Sequence, residues 1–312
     1  MRKRKIISSL PDFSCIAMGT DHMGQSKYIT RALAFEELET YVKHGGNVLD
    51  TARSYSLEDG VSKSEDIVGA FVRSSCIRSS IIVMTKGGRE NTPRSTFLQR
   101  IKEDFERSAD QLGFIPDIWF LHRDCPWLPV EEIIGFCGTF LQGALLGLSN
   151  WRPRRFSEAL ACTPAPVISE IQFSLAPSTP AMQGDRSLVC MNPENRRFYS
   201  DTQIPVLAFS SQAKGYYSKL ISGQPLTKKA RDRYDSALAR SIGDRVKILG
   251  EELGASPAAL SVAYIASQHA FPAIPIVGSS HMDQLEDSLS GADIELTSEQ
   301  LCFLDRGPLT FR

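Results

Sequence analysis

Four residues of this chain are of types that together can move a proton: Asp50, Tyr55, Lys86 and His122. Asp50 closes the apolar run NVLD, and Tyr55 follows it in DTARSY. Lys86 closes a second run, SIIVMTK, and His122 a third, DIWFLH. Short apolar runs that each end in one polar residue read as buried parallel strands. The intervals from 50 to 86 and from 86 to 122 are each about one βα unit of a (β/α)8 barrel. Residues at the carboxyl ends of such strands converge on one mouth, where barrels of this kind hold their chemistry. Gathered there, a phenol, an ammonium, a carboxylate and an imidazole form a proton donor and the groups that tune it.

The elements that must position them follow in order. A first strand is expected at SCIAMGT, ending at Thr20. A helix capped by Thr30 comes next, with Ala34, Phe35, Leu38, Tyr41 and Val42 on one face, and Gly45-Gly46 stops it. A second helix is predicted near residues 64–72. A third opens at Thr92-Pro93, buries Phe97, Ile101, Phe105 and Leu112, and ends at Gly113. Further strands are expected at ALLGLSN, PVISEIQF, IPVLAF and AIPIVG, with a helix opened by Ser256-Pro257 before the last. Strand and helix alternate as a parallel sheet requires. The polar stretches 175–193 and 214–234 are read as long loops at the mouth. The chain is expected to be one α/β domain, a single (β/α)8 barrel over residues 1–312, with residues 1–11 (including MRKRK) as a solvated tail.

These segments resemble the aldo-keto reductase family. DTARSY, VMTKGG and WFLHRD carry the four residues; GLSNW, EIQFSL, LAFSSQAKG and IPIVGSSHMDQLEDSL follow in family order. The matches run over about residues 12–305. The resemblance implies a nicotinamide-dependent carbonyl reductase in which Tyr55 gives the proton, Lys86 lowers its pKa, Asp50 holds Lys86, and His122 orients the carbonyl. Side chains cannot supply a hydride, so a cofactor must. No GxGxxG follows the first strand, so a Rossmann site is not indicated. The resemblance instead lays a dinucleotide across the barrel mouth. Ser149, Asn150 and Gln172 match the carboxamide positions, and Phe209 matches the aromatic that stacks on the nicotinamide. Ser210, Ser211, Gln212 and Gly215 match the start of the pyrophosphate loop, and Gly278, Ser279, Gln284 and Asp287 the adenosine end. The family favours NADPH, but GSSHMDQLEDSL holds no Lys or Arg for a 2′-phosphate, so NADH remains open; Ser279, Ser280, His281 and Lys214 are the phosphate candidates.

On the substrate side, Asp21, His22, Arg53, Arg123, Asp124, Trp127 and Trp151 follow strand ends. That mouth is polar enough to suggest a hydroxylated, sugar-like carbonyl compound. The chain stops soon after Leu304, without a long specificity loop, which suggests an open pocket. Lys and Arg number 35 against 36 Asp and Glu, so neither nucleic acid nor an anionic membrane is an expected partner. Seven scattered cysteines without a CxxC fit reduced thiols in a cytoplasmic protein. The five histidines lack metal-ligand spacing, so no metal is expected. Two rivals stand beside the reductase: a noncatalytic, cofactor-sensing regulatory subunit, which the complete set of four argues against, and a phosphosugar isomerase or lyase, which needs neither Tyr55 nor a nicotinamide. Oligomeric state is left open.

Overall fold

The structure is a computed structural model that describes residues 1–25, 30–89 and 96–306. Eight parallel strands close into a barrel: β1 (Ala17–Gly19), β2 (Val48–Asp50), β3 (Ile82–Gly87), β4 (Ile118–Leu121), β5 (Leu145–Ser149), β6 (Ile168–Gln172), β7 (Val206–Phe209) and β8 (Ala273–Val277). Each pairs with its neighbour in sequence, and β8 returns to β1. The expected strands are all present, most shorter by one or more residues than read, while β3 runs one residue past Lys86 to Gly87.

The barrel interior explains where the polar residues go. Successive side chains on a strand point to opposite faces. Val48, Ile82, Met84, Ile118, Phe120, Ile168, Leu207 and Ile274 form one buried cluster inside the barrel. Continuing the two-residue period upward from that cluster reaches Asp50 on β2, Lys86 on β3, His122 just past β4, and Glu170 and Gln172 on β6. Each is more than nine-tenths buried. The apolar plug below thus sets both the position and the dryness of the polar layer above it.

The helices outside are built as the sequence predicts, with some changes. Thr30 caps the helix Arg31–Lys43 by accepting from Leu33 N–H, but that helix also buries Glu37 beside Ala34, Leu38 and Tyr41. Phe97–Leu112 buries Phe97, Ile101, Phe105 and Leu112, and Gly113 ends it in the left-handed region. The predicted Thr92-Pro93 start lies outside the described residues. Ser256 caps Pro257–Ala266. The stretches read as loops carry short helices, Pro180–Gln183 in the first, Tyr216–Ile221 and Lys228–Tyr234 in the second. Local capping by Thr179 and Thr227 stabilises two of them.

The amino terminus corrects the sequence reading. Residues 1–11 are not a solvated tail. Lys3–Arg4 pairs with Phe13–Ser14 in an antiparallel ribbon, and Ile7 and Phe13 join the interior cluster from below. Arg2 donates to the carbonyls of Ala292 and Ile294 at 3.1 and 2.9 Å, and Arg4 donates to that of Ala266. The basic residues that looked like a charged tail fasten the barrel floor to the last helices. Among the described residues, no helix is long and apolar enough to cross a membrane.

Close packing inside the barrel is testable at Gly147 on β5. A Cβ there would lie 2.5 Å from the Phe120 ring, a distance that real side chains do not tolerate. Gly147→Ala is expected to destabilise the fold by about 1–3 kcal/mol through overpacking. Denaturant midpoints measure this, and an unchanged midpoint would show that the interior yields freely at this level.

Candidate active site

Lys86 organises the mouth. Its Nζ has no solvent exposure. It donates to Asp50 Oδ1 and Oδ2 at 2.7 and 2.8 Å and to the Thr51 carbonyl at 3.1 Å, and lies 3.2 Å from the Tyr55 hydroxyl. The segment between Asp50 and Tyr55 is anchored from two sides. Thr51 and Arg53 N–H groups donate to the Met84 and Lys86 carbonyls at 2.9 Å each, extending the β2–β3 ladder. Ser62, which caps the helix Lys63–Ser74, donates to the carbonyls of Ala52 and Tyr55 at 3.1 Å each. Tyr55 therefore leaves the strand end in a fixed direction, and its ring meets the His122 ring edge-on with centroids 6.1 Å apart.

The electrostatics follow from burial. Burial alone would lower the Lys86 pKa, but the Asp50 charge, joined by Glu170 where that carboxyl is ionised, outweighs it and holds Lys86 as an ammonium. His122 is pushed well below its ordinary value by burial, with Arg123, Lys86 and Arg89 acting in the same sense. It is a neutral imidazole with one N–H to give, and its buried Nδ1 has no hydrogen-bond partner among the described residues. Tyr55 departs from the sequence expectation. Burial raises its pKa above that of a free phenol, and the Lys86 charge opposes this without overcoming it.

The residues matched to a cofactor surround this group. Asn150 sits in the left-handed region, donates to Ser149 Oγ at 2.9 Å and accepts from Val189 N–H at 3.1 Å. Gln172 is buried beside them and donates to Ser174 Oγ at 2.9 Å. Phe209 ends β7 with a half-buried ring. Beyond it Ser210, Ala213, Lys214 and Gly215 all have positive φ, which coils the backbone tightly. Ser211 donates to the Ile276 carbonyl at 2.6 Å and Gln212 to Ser288 Oγ at 2.8 Å, tying this turn to β8 and its helix. Gly278 is exposed, and Gln284 and Asp287 lie on the helix Met282–Ser290. A half-buried aromatic, a tightly coiled backbone, a buried amide cluster and the exposed Gly278 fit a flat ring joined to an anionic chain.

The substrate-side residues are less available. Asp124 is held by Arg155 at 2.7 and 2.9 Å. Arg53 is buried, donates to the Gly60 carbonyl and lies 3.8 Å from Glu65. Trp151 is fully buried in the outer core. His22 turns to Glu37 at 3.1 Å, and Glu37 also receives Ser279 Oγ at 3.1 Å. Arg123 reaches Ser187 at 3.1 Å and Asp185 at 3.3 Å. Asp21 is exposed and lies 3.4 Å from His22. Trp127 is 57% exposed. Sequence reasoning placed these residues at the mouth but did not see their partners, which come from other units of the barrel for Arg123 and Asp124 and from the segment that follows in the same unit for His22 and Arg53. It also gave no role to Glu170, whose side chain lies 3.4 Å from Lys86 Nζ. The signal was present: a lone Glu in an apolar strand, two residues before Gln172 and so on the same face.

Known proteins resemble this chain in sequence and in fold. A probable aryl-alcohol dehydrogenase of Saccharomyces cerevisiae is 26% identical over 87% of this chain and 86% of its own. An aryl-alcohol dehydrogenase [NADP(+)] of Phanerodontia chrysosporium is 25% identical over 87% of this chain and 75% of its own. A crystal structure of an aldo-keto reductase from Klebsiella pneumoniae in complex with NADPH superposes with a TM-score of 0.73 at 18% identity, covering 98% of this chain and 95% of that one. The profile described as the Aldo/keto reductase family matches residues 15–306, nearly the whole sequence, and the chain belongs to that family.

Proposed function

We propose that this protein is a nicotinamide-dependent oxidoreductase that reduces an aldehyde or ketone to an alcohol, or runs the reverse, with Tyr55 as the general acid. The observation that carries the reading is the buried ammonium of Lys86, which lies 3.2 Å from the Tyr55 hydroxyl and is paired with Asp50. NADPH is the cofactor proposed, supported by the NADP(+) in the name of the Phanerodontia chrysosporium relative and the NADPH in the Klebsiella pneumoniae complex. NADH stays open because residues 278–289 hold no Lys or Arg. When bound, the nicotinamide supplies the hydride. Ser149, Asn150 and Gln172 would hold its carboxamide, Phe209 its ring, and residues 210–215 the pyrophosphate.

The protein's own part is to steady charge and deliver a proton. The carbonyl oxygen gains negative charge as it is reduced, and the His122 N–H and the Tyr55 hydroxyl stabilise that charge. Tyr55 then gives up its proton. A phenol kept neutral by burial is fully loaded for this step. An alkoxide is far more basic than a phenolate, so the transfer remains downhill despite the raised pKa. Lys86 stabilises the phenolate left behind.

For the substrate, we propose an aryl carbonyl compound or aryl alcohol. The expectation of a sugar-like substrate rested on charged residues, and Asp124 and Arg53 are engaged elsewhere. The exposed Trp127 offers a flat face, and both curated relatives described above are named for aryl alcohols. A cofactor-sensing regulatory subunit is distinguished from the reductase by turnover.

Tyr55→Phe keeps the ring and removes the acidic hydroxyl. Carbonyl reduction is expected to fall at least about a hundredfold with little change in cofactor affinity; near-normal turnover of the folded variant in an NADPH absorbance assay would remove Tyr55 from the mechanism. Phe209→Ala is expected to weaken NADPH roughly tenfold, and Phe209→Tyr to have little effect, because stacking depends on ring area. Dissociation constants from intrinsic fluorescence quenching decide this, and an unchanged value for the Ala variant would assign the stacking to another residue. Benzaldehyde is expected to exceed glyceraldehyde in kcat/KM. Asp124→Ala should leave that ratio alone while lowering stability by about 1–3 kcal/mol, the cost of stranding the Arg155 donors. A ratio that shifts in the variant would return Asp124 to the substrate site.

A further inference from the structure

Beside Lys86, the proton-donor reading leaves a buried carboxyl, that of Glu170, without a task. Glu170 is 2% exposed, lies on β6, and directs Oε2 to within 3.4 Å of Lys86 Nζ. Lys86 already has Asp50, the Thr51 carbonyl and the Tyr55 hydroxyl within 3.2 Å. An ammonium has three protons, so Glu170 receives a charge contact rather than a hydrogen bond, and among the described residues its Oε2 has no hydrogen-bond partner. Two ionised carboxylates against one ammonium would bury a net negative charge, which is costly in a dry site. The carboxyl that takes up a proton is the one less well served. Asp50 has both oxygens on the ammonium, so that carboxyl is Glu170.

We infer that Glu170 is a positioning residue for Lys86, protonated near neutral pH, and that its ionisation at higher pH makes the site net negative and slows proton delivery by Tyr55. The inference rests on the reading of Tyr55 as the donor. Burial pushes Glu170 up to about 8, with the Asp50 charge acting in the same sense against Lys86 and Arg123. The charged and titratable groups facing this cluster include, among the described residues, Asp50 on β2, Lys86 on β3, Tyr55 after β2, Arg89 after β3, His122 and Arg123 after β4, and Asp21 after β1. The strand neighbours of Glu170, Ser149 on β5 and Leu207 on β7, do not titrate in this range. An ionised Glu170 raises the hold of Tyr55 on its proton and opposes negative charge on the carbonyl oxygen.

Glu170→Gln keeps the shape and removes the titration. Single-turnover reduction of benzaldehyde by the NADPH-loaded wild type should decline roughly tenfold as pH rises through about 8. The variant should be flat over the same range. The infrared difference between cofactor-free wild type and variant should show the carbonyl stretch of a protonated carboxylic acid near neutral pH, disappearing above about 8. Folding gives a third readout. A carboxyl raised from 4.5 to about 8 costs the folded state nothing below pH 4.5, progressively more between the two values, and a constant amount above. The melting temperature of Glu170→Gln minus that of wild type should therefore widen from pH 4.5 to about 8 and then level off. Identical pH profiles for the two proteins, or no Glu170-dependent infrared band, would overturn the inference. If the variant does not fold, wild type with carboxyl-labelled glutamate decides by NMR: a buried glutamate titrating near 8 upholds it, and none overturns it. Tyr55→Phe is run alongside. Full turnover there with the band intact would sink the donor reading alone, whereas a missing band with Tyr55→Phe inactive would sink the role of Glu170 alone.

Discussion

A single ammonium with no contact to solvent, that of Lys86, constrains most of what surrounds it. Moving such a charge out of water costs several kcal/mol even after the protein relaxes. The cost is met by geometry: both oxygens of Asp50 within 2.8 Å, a backbone carbonyl from Thr51, and the Tyr55 hydroxyl. Asp50 and Lys86 come from adjacent strands whose ladder continues past the strand ends through the Thr51 and Arg53 N–H groups. Removing either charge would strand the other in the barrel, so the pairing, the local ladder and the path of the chain to Tyr55 form one unit.

This unit changes how the acid should be understood. A lysine beside a tyrosine suggests a phenol tuned toward neutrality, and that was the expectation from the four residues alone. In the folded protein burial wins, and Tyr55 holds its proton more firmly than a free phenol does. In the proposed reaction Lys86 acts less by loosening that proton in the resting site than by stabilising the phenolate once the proton has left. The distinction matters because resting acidity and capacity to deliver a proton are different quantities. The second depends on the basicity of the acceptor, and an alkoxide is a very strong one.

Much of the fold was legible because one rule repeats. Apolar runs ending in polar residues, spaced by one βα unit, mark the barrel strands, and the two-residue period then aims Asp50, Lys86 and His122 inward. The same rule reaches Glu170, which was overlooked because a single Glu inside SEIQF looks like an exposed strand residue until the strand is known to be covered on both faces. The amino-terminal MRKRK misled for a related reason. Its arginines find the carbonyls of Ala292, Ile294 and Ala266, roughly 260 or more residues away in sequence, and no local pattern carries that information. Glu37 was missed in the same way, since a carboxylate on the core face of an amphipathic helix becomes intelligible only beside His22 and Ser279.

The charged residues past the strand ends show why a mouth that is polar in sequence need not be polar to a ligand. Long connections at the open end of a barrel must be fastened, and partly buried ion pairs between units do this with directional hydrogen bonds. Arg155, from the helix Pro153–Leu160, ties down the loop after β4 through Asp124 and also through the carbonyls of Cys125 and Leu128. Arg123 links the same loop to the one after β6 through Asp185 and Ser187. Arg53 and Glu65 brace the turn that carries Tyr55. Each charge that fastens a loop is withdrawn from recognition. On the proposed reading, specificity is then left to the shape these fastened loops give the opening and to the exposed face of Trp127.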